Sequence, residues 1–66
     1  MELWISGESK RFEAPLPVSD LVERLGLAGR RIAVELNAEI LPRSRFESTM
    51  LADGDRLEIV TAVGGG

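Results

Sequence analysis

Two aliphatic residues, Leu3 and Ile5, alternate with Glu2, Trp4 and Ser6 at the start of the chain. This period of two predicts a strand buried on one face, with Trp4 on the other face. A turn at Gly7-Glu8 and a returning strand over residues 10–14 would complete a hairpin. We expect sheet pairing to end at the prolines that follow, because proline has no backbone N–H to donate.

The period changes from residue 18 onward. Apolar residues then recur three and four positions apart, which places them on one stripe of a helix of about two turns. Gly26 fits the left-handed position just beyond a helix end, and Leu27 is the apolar residue that often follows it. The stripe consists of Val18, Leu21, Val22 and Leu25.

Alternation returns over residues 32–36 and predicts a third strand. Asn37-Ala38 is the expected reversal into a short fourth strand over residues 39–41, which Pro42 would close. Asparagine tolerates a positive φ, but alanine is a poorer second turn residue than glycine, so the pattern leaves the turn type open.

Ser44 and Glu47 have the spacing of a helix capping box and predict one short helical turn over residues 45–49. A tight turn at Asp53-Gly54-Asp55 then leads into a last strand over residues 56–62. Its inward face would carry Leu57 and Ile59, and its outward face Glu58, Val60 and Ala62.

The predicted element order is β-β-α-β-β-short helix-β, an α+β arrangement. One amphipathic helix can cover only one face of a small sheet, so the other face must meet water or a partner. This order is typical of the β-grasp fold, with a mixed sheet of four to five strands and parallel first and last strands. We expect one domain over residues 1–63, with its core between helix and sheet, and a flexible tail over residues 64–66.

That tail is the run Gly64-Gly65-Gly66. Glycine has no Cβ, so its backbone fits slots too narrow for other residues, but ordering it costs the most backbone entropy. Two interpretations follow: a frayed end, or a tail that enters the active site of another protein with its carboxylate first.

Composition narrows the function classes. The chain has no cysteine and no histidine, so it lacks a thiol nucleophile, the commonest general acid/base and the commonest metal ligand, and we expect a protein that is not an enzyme and has no cofactor. A net charge of −3 disfavours binding to nucleic acid, and no apolar run is long enough to span a membrane. No signal peptide is evident, so we expect a cytoplasmic protein.

Asp53 and Asp55 lack further ligands at loop spacing, and we expect a turn there and no metal.

Trp4 has two interpretations. As an exposed aromatic beside Val60 and Ala62, it would anchor a partner on the outward sheet face; alternatively, it only packs across strands. Glu58 shares that face, where glutamates can pair with a basic partner surface or simply be solvated.

Several segments, in their order and spacing, resemble the ThiS family of ubiquitin-like sulfur carriers of bacterial thiamine biosynthesis. They are Ile32-Ala33-Val34-Glu35-Leu36-Asn37, Ile40-Leu41-Pro42-Arg43-Ser44, Leu51, Asp53-Gly54-Asp55-Arg56-Leu57-Glu58-Ile59-Val60 and Gly65-Gly66, together with the helix stripe. The chain departs from the family pattern at Pro17, Ala38 and Phe46, where threonine, glycine and tryptophan are usual, and it carries the additional glycine Gly64.

The resemblance implies that an E1-like adenylyltransferase activates the carboxylate of Gly66. A sulfur-relay protein, such as a cysteine desulfurase or sulfurtransferase, would then convert it to a thiocarboxylate, which thiazole synthase consumes. Gly65 and Gly64 would thread into the partner's active site. Two alternatives remain: the small-subunit sulfur carrier of molybdopterin synthase, and a β-grasp interaction module that is never conjugated.

Overall fold

The computed structural model describes residues 1–61, which form one α-helix packed on a five-stranded sheet of order β2-β1-β5-β3-β4. The mixed topology confirms the predicted β-grasp fold. No helix in this part of the chain is long and apolar enough to cross a membrane. The elements are β1 (Glu2–Ile5), β2 (Glu8–Arg11), α1 (Val18–Arg24), β3 (Ile32–Leu36), β4 (Glu39–Leu41), a 3₁₀ helix (Arg43–Arg45) and β5 (Arg56–Thr61).

Strand β5 is the central strand of the sheet. It pairs parallel with β1, where Trp4 lies opposite Arg56, and antiparallel with β3, where Ile32 lies opposite Thr61. Backbone hydrogen bonds on both sides therefore hold β5. The predicted parallel pairing of the first and last strands is confirmed, and the predicted Ala62 end of the last strand lies outside the described residues.

The core lies between α1 and one sheet face. Most residues predicted for it are buried, while Leu25 and Ile59 are half-buried against it. The pattern missed Leu16, which is 0% exposed although prolines flank it and no period marks it. Its backbone oxygen accepts a hydrogen bond from the N–H of Leu51 (2.9 Å). The buried residues are Leu3, Ile5, Leu16, Val18, Leu21, Val22, Val34, Phe46, Leu51 and Leu57.

Helix α1 ends as its sequence predicts. Gly26 has a φ of 75°, and its N–H donates to the Glu23 oxygen at 3.0 Å. The N–H of Leu27 donates to the Val22 oxygen, also at 3.0 Å. These two bonds form the Schellman motif, which satisfies carbonyls that the last helical turn leaves unpaired.

The bounds predicted for the first hairpin were wrong. The first hairpin turns at Ser6-Gly7, where both residues have positive φ, and its second strand begins at Glu8 instead of residue 10. This choice places Gly7 at a left-handed turn position, for which glycine is suited. The helical turn predicted over residues 45–49 is present, since the N–H of Thr49 donates to the Arg45 oxygen at 3.0 Å. A 3₁₀ helix over Arg43–Arg45, which follows Pro42, precedes this turn.

The proposed capping box does not form. No side chain caps the 3₁₀ helix, and Ser44 lies within it. The hydroxyls of Ser48 and Thr49 instead donate to the Arg45 carbonyl, at 3.3 and 2.7 Å. Proline needs no N–H partner and its φ suits a helix start, so Pro42 begins the turn earlier than the S-x-x-E spacing predicts.

The β3–β4 turn resolves the question that the sequence left open. Asn37 and Ala38 have φ values of 51° and 69°, which both correspond to the left-handed region and indicate a type I′ turn. The Asn37 side chain accepts a hydrogen bond from the Arg56 N–H and donates one to Asp55, each at 3.0 Å. Those contacts favour asparagine at the first turn position, whereas alanine at the second carries backbone strain.

We therefore expect Ala38→Gly to stabilise the protein by about 0.5–1 kcal/mol, since the strain relieved exceeds the added entropy of the unfolded chain. The measurement is the urea unfolding midpoint at unchanged m-value. Ala52→Gly is the matched control, because Ala52 is exposed and its φ is not positive; it should give no gain. Equal effects of both substitutions would contradict the strain at Ala38.

Candidate functional site

The sheet face opposite α1 is the candidate site, and we call it the open face. Side chains alternate between the two sheet faces along each strand, so Leu3, Val34 and Leu57 point into the core and their neighbours point outward onto the open face. The open face carries Trp4 on β1, Arg56, Glu58 and Val60 on β5, Ala33 and Glu35 on β3, and Ile40 on β4.

Strand register sets the neighbours on this face. Val60 lies opposite Ala33, and Glu58 lies opposite Glu35, which in turn pairs with Ile40 on β4. Neighbouring strands are about 4.7–4.9 Å apart, so these side chains adjoin one another. The sheet therefore brings the predicted docking residues Glu58 and Val60 together at its centre.

Trp4 lies elsewhere on the open face, so the expectation that it sits beside Val60 was wrong. Its partner on β5 is Arg56, the first residue of that strand. Val60 is four residues further along, about 13 Å at the usual strand rise. The parallel pairing between β1 and β5 causes this separation, because it aligns Trp4 with the start of β5.

The surroundings of Trp4 leave both of its interpretations open. Its side chain is 37% exposed, so a partner can reach it. The Arg56 guanidinium carbon lies 5.8 Å from the ring centroid, within the range of a cation–π contact. Because Arg56 lies on the neighbouring strand, this contact also agrees with a Trp4 that only packs across strands.

Exposed apolar side chains flank the acidic pair on the open face. Val60 is 62% exposed and Ile40 is 76% exposed, whereas core residues such as Leu57 are almost fully buried. Sequence reasoning missed Ile40 as a site residue. Its signal was the alternation in β4, where the inward-facing Leu41 implies an outward Ile40.

The acidic pair is a cross-strand contact between like charges. Glu35 and Glu58 are both exposed and directly opposite each other on β3 and β5. Like charges in this position destabilise a sheet, whereas a basic group placed over them would be attracted to both. The pair thus suits a partner surface that carries lysine or arginine.

The aspartates of the 53–55 turn have structural contacts. An Asp53 carboxylate oxygen accepts the N–H of Glu2 at 2.6 Å. Asp55 accepts hydrogen bonds from the N–H of Ala52 at 2.8 Å and from Asn37. Within residues 1–61 no group of three or more potential ligands is placed to hold a metal ion.

The glycine tail begins just beyond the described chain. β5 ends at Thr61, opposite Ile32, so residues 62–66 follow directly from the central strand of the sheet. The predictions for Ala62, Gly64, Gly65 and Gly66 fall outside the described residues.

Comparisons with known proteins agree with this fold. The model of the ThiS family matches residues 3–66. The crystal structure of the thiamine biosynthesis protein ThiS from Geobacter metallireducens superposes with a TM-score of 0.84 at 35% identity, over 100% of both chains.

Two sequence relatives extend the comparison. A sulfur carrier protein ThiS of Bacillus subtilis is 39% identical over 49 residues, which is 74% of each chain. A thiazole synthase of Paramagnetospirillum magneticum is 46% identical over all 66 residues, and the chain spans only 20% of that relative's length. From the family match, the fold and these relatives, the chain belongs to the ThiS family.

Proposed function

We propose that this protein is a sulfur carrier in thiamine biosynthesis that supplies sulfur for the thiazole ring. The observation that carries the proposal is the extent of the family match, which covers the folded body and continues through Gly66. The relatives named as a sulfur carrier and as a thiamine biosynthesis protein support the same function.

The carboxylate of Gly66 is the proposed carrier group. It is ionised at neutral pH and is a poor acyl donor until it is activated. An E1-like adenylyltransferase joins it to the α-phosphate of ATP and releases pyrophosphate, which leaves an acyl-adenylate. A sulfur nucleophile from a relay protein then displaces AMP; where that sulfur arrives as a persulfide, a thiol supplies two electrons to release the thiocarboxylate.

Partners supply the catalysis in this proposal. The chain contains no histidine and no cysteine, so it offers neither the usual general base nor a thiol nucleophile. Thiazole synthase is the proposed acceptor of the sulfur. In support, a relative named thiazole synthase contains a segment that matches the entire chain.

The open face is the proposed docking surface for these partners. Val60 and Ile40 provide exposed apolar area, and the Glu35–Glu58 pair provides negative charge between them. Trp4 and Ala62 complete the proposed surface. The folded domain over residues 1–63 would bind through this face while the tail over residues 64–66 enters the active site, with Gly65 and Gly64 in its channel.

The tail prediction tests the carrier chemistry directly. Adding one residue after Gly66 should abolish ATP–pyrophosphate exchange by the adenylyltransferase, because the acyl group must be terminal. Gly65→Val should act similarly, since its Cβ and restricted φ/ψ do not suit a narrow channel. Gly64→Ala, at the additional glycine farther from the carboxylate, is the comparison and should be tolerated far better than Gly65→Val.

Intact-mass analysis of protein from cells grown without thiamine gives the complementary readout. The unmodified chain should show replacement of one oxygen by sulfur, and the extended chain should not. Sulfur incorporation into a variant that lacks Gly66 would refute the carrier-tail proposal. The alternative is tested by complementation. If this chain restored growth that requires a molybdenum cofactor, but did not restore growth without thiamine, the molybdopterin synthase alternative would be favoured.

A second prediction tests the open face. Val60→Asp should leave the fold intact, because the side chain is already exposed, but should abolish adenylation because it replaces apolar contact area with a charged group that docking would bury. Met50→Asp is the matched control: Met50 is 51% exposed and lies off this face, paired with Pro17 beside α1. Unchanged adenylation kinetics in a folded Val60→Asp variant would remove the open face from the mechanism.

A third prediction separates the two interpretations of Trp4. It is the only tryptophan, so its fluorescence reports on its surroundings alone. A docking anchor should change emission on titration with the adenylyltransferase, and Trp4→Ala should weaken binding at least about tenfold. A residue that only packs across strands should show neither effect, and Trp4→Ala should then lower only the free energy of unfolding.

A further inference from the structure

Three arginines converge on a surface cavity of about 490 Å³ at one end of the sheet. The cavity is lined by Arg30, Arg31 and Arg43, by Gly29, and by apolar side chains on β3 and β5. Among residues 1–61, no carboxylate lines it. It is therefore a basic concavity in a protein whose net charge is −3.

The fold holds two chain segments together at this cavity. Arg30 and Arg31 immediately precede β3, whereas Arg43 belongs to the 3₁₀ helix. The Arg43 guanidinium donates a hydrogen bond to the Arg30 carbonyl at 2.6 Å, and its carbon lies 6.0 Å from the Phe46 ring centroid. These contacts restrict Arg43, so part of the basic surface is ordered before anything binds.

The cavity adjoins the open face beside the end of β5. Two of its lining residues, Ala33 and Val60, are opposite each other on that face. Ile32, which also lines it, pairs with Thr61, the last described residue. A partner that covers this part of the open face would therefore also contact the cavity.

The chemistry of the lining favours a carboxylate-bearing peptide as occupant. Guanidinium groups bind carboxylates through paired hydrogen bonds, and all three arginines are exposed. The floor formed by Ile32, Ala33 and Val60 is apolar and suits the methylene groups of aspartate and glutamate side chains. An inorganic anion would leave that apolar surface uncovered.

We propose that this arginine cavity binds an acidic segment of the adenylyltransferase, next to the channel that the tail enters. The inference rests on the proposed carrier function and adds a second docking point to it. The open face would then present negative charge at Glu35 and Glu58, and positive charge at Arg31, which precedes Ile32 on the far side of the Val60–Ala33 pair. A partner with the complementary arrangement can dock in only one orientation, the one that directs the tail into its channel.

The test combines charge reversal with a binding measurement. Arg30→Glu/Arg31→Glu should weaken binding to the adenylyltransferase at least about tenfold, measured by calorimetry without ATP, and should flatten the dependence of binding on salt. Arg43 stays unchanged because its hydrogen bond joins two segments. The control is Lys10→Glu/Arg45→Glu, an equal charge change at exposed residues outside the cavity, which should alter binding less than about twofold.

A titration without any enzyme tests the cavity independently of the proposed function. Hexaglutamate peptide should produce saturable amide NMR shifts confined to the cavity residues, absent in the double variant, while hexaglutamine should not. Saturable binding of inorganic pyrophosphate without binding of hexaglutamate would overturn the proposal in favour of a small-anion site, and shifts spread over the whole surface would refute a defined site.

Different results would refute the carrier function and the arginine-cavity proposal. If the unaltered chain is not adenylated, the carrier function fails, while the peptide titration still decides whether the cavity binds carboxylates. If the unaltered chain is adenylated and the Arg30→Glu/Arg31→Glu variant binds the enzyme as tightly as the control, the cavity has no role in docking and only the second proposal falls.

Discussion

One short helix must cover a five-stranded sheet, and the rest of the structure follows from that limit. Helix α1 has seven residues, about 10 Å of helix, and it shields only one sheet face. Every strand that packs beneath it must therefore alternate inward and outward residues. The buried set draws on Leu3, Val34 and Leu57, and the outward positions between them form a surface that no other described element covers.

Strand β5 links the stability of this domain to its proposed function. It contributes Leu57 to the core, Glu58 and Val60 to the open face, and ends at Thr61, three residues before Gly64 in the sequence. Hydrogen bonds to β1 and β3 hold it from both sides, so it belongs to the most protected part of the sheet. A docking surface on such a strand is pre-ordered, and binding then costs little conformational entropy.

Local periodicity was enough to predict the helix, the strands and the Gly26 helix end, because those depend on neighbouring residues. Burial of Leu16 was not predictable, since it depends on a backbone contact with Leu51, far along the chain. The candidate site divides in the same way. Alternation predicted which side of the sheet Trp4 faces, but only the parallel register identifies Arg56 as its neighbour. The arginine cavity depends on topology as well, because its members come from separate segments.

The Glu35–Glu58 pair on the open face and the arginines of the cavity each bring like charges together, so a partner of opposite charge would relieve repulsion in the free protein. Glu35 and Glu58 repel each other across the sheet, and Arg30, Arg31 and Arg43 share one concavity. Exposure to water keeps each repulsion to a few tenths of a kcal/mol. A partner that places basic groups over the glutamates and acidic groups over the arginines relieves both. A partner docked the other way round would place like charges in contact, so under the proposed docking the same charges that weaken the isolated fold would select one orientation of the partner.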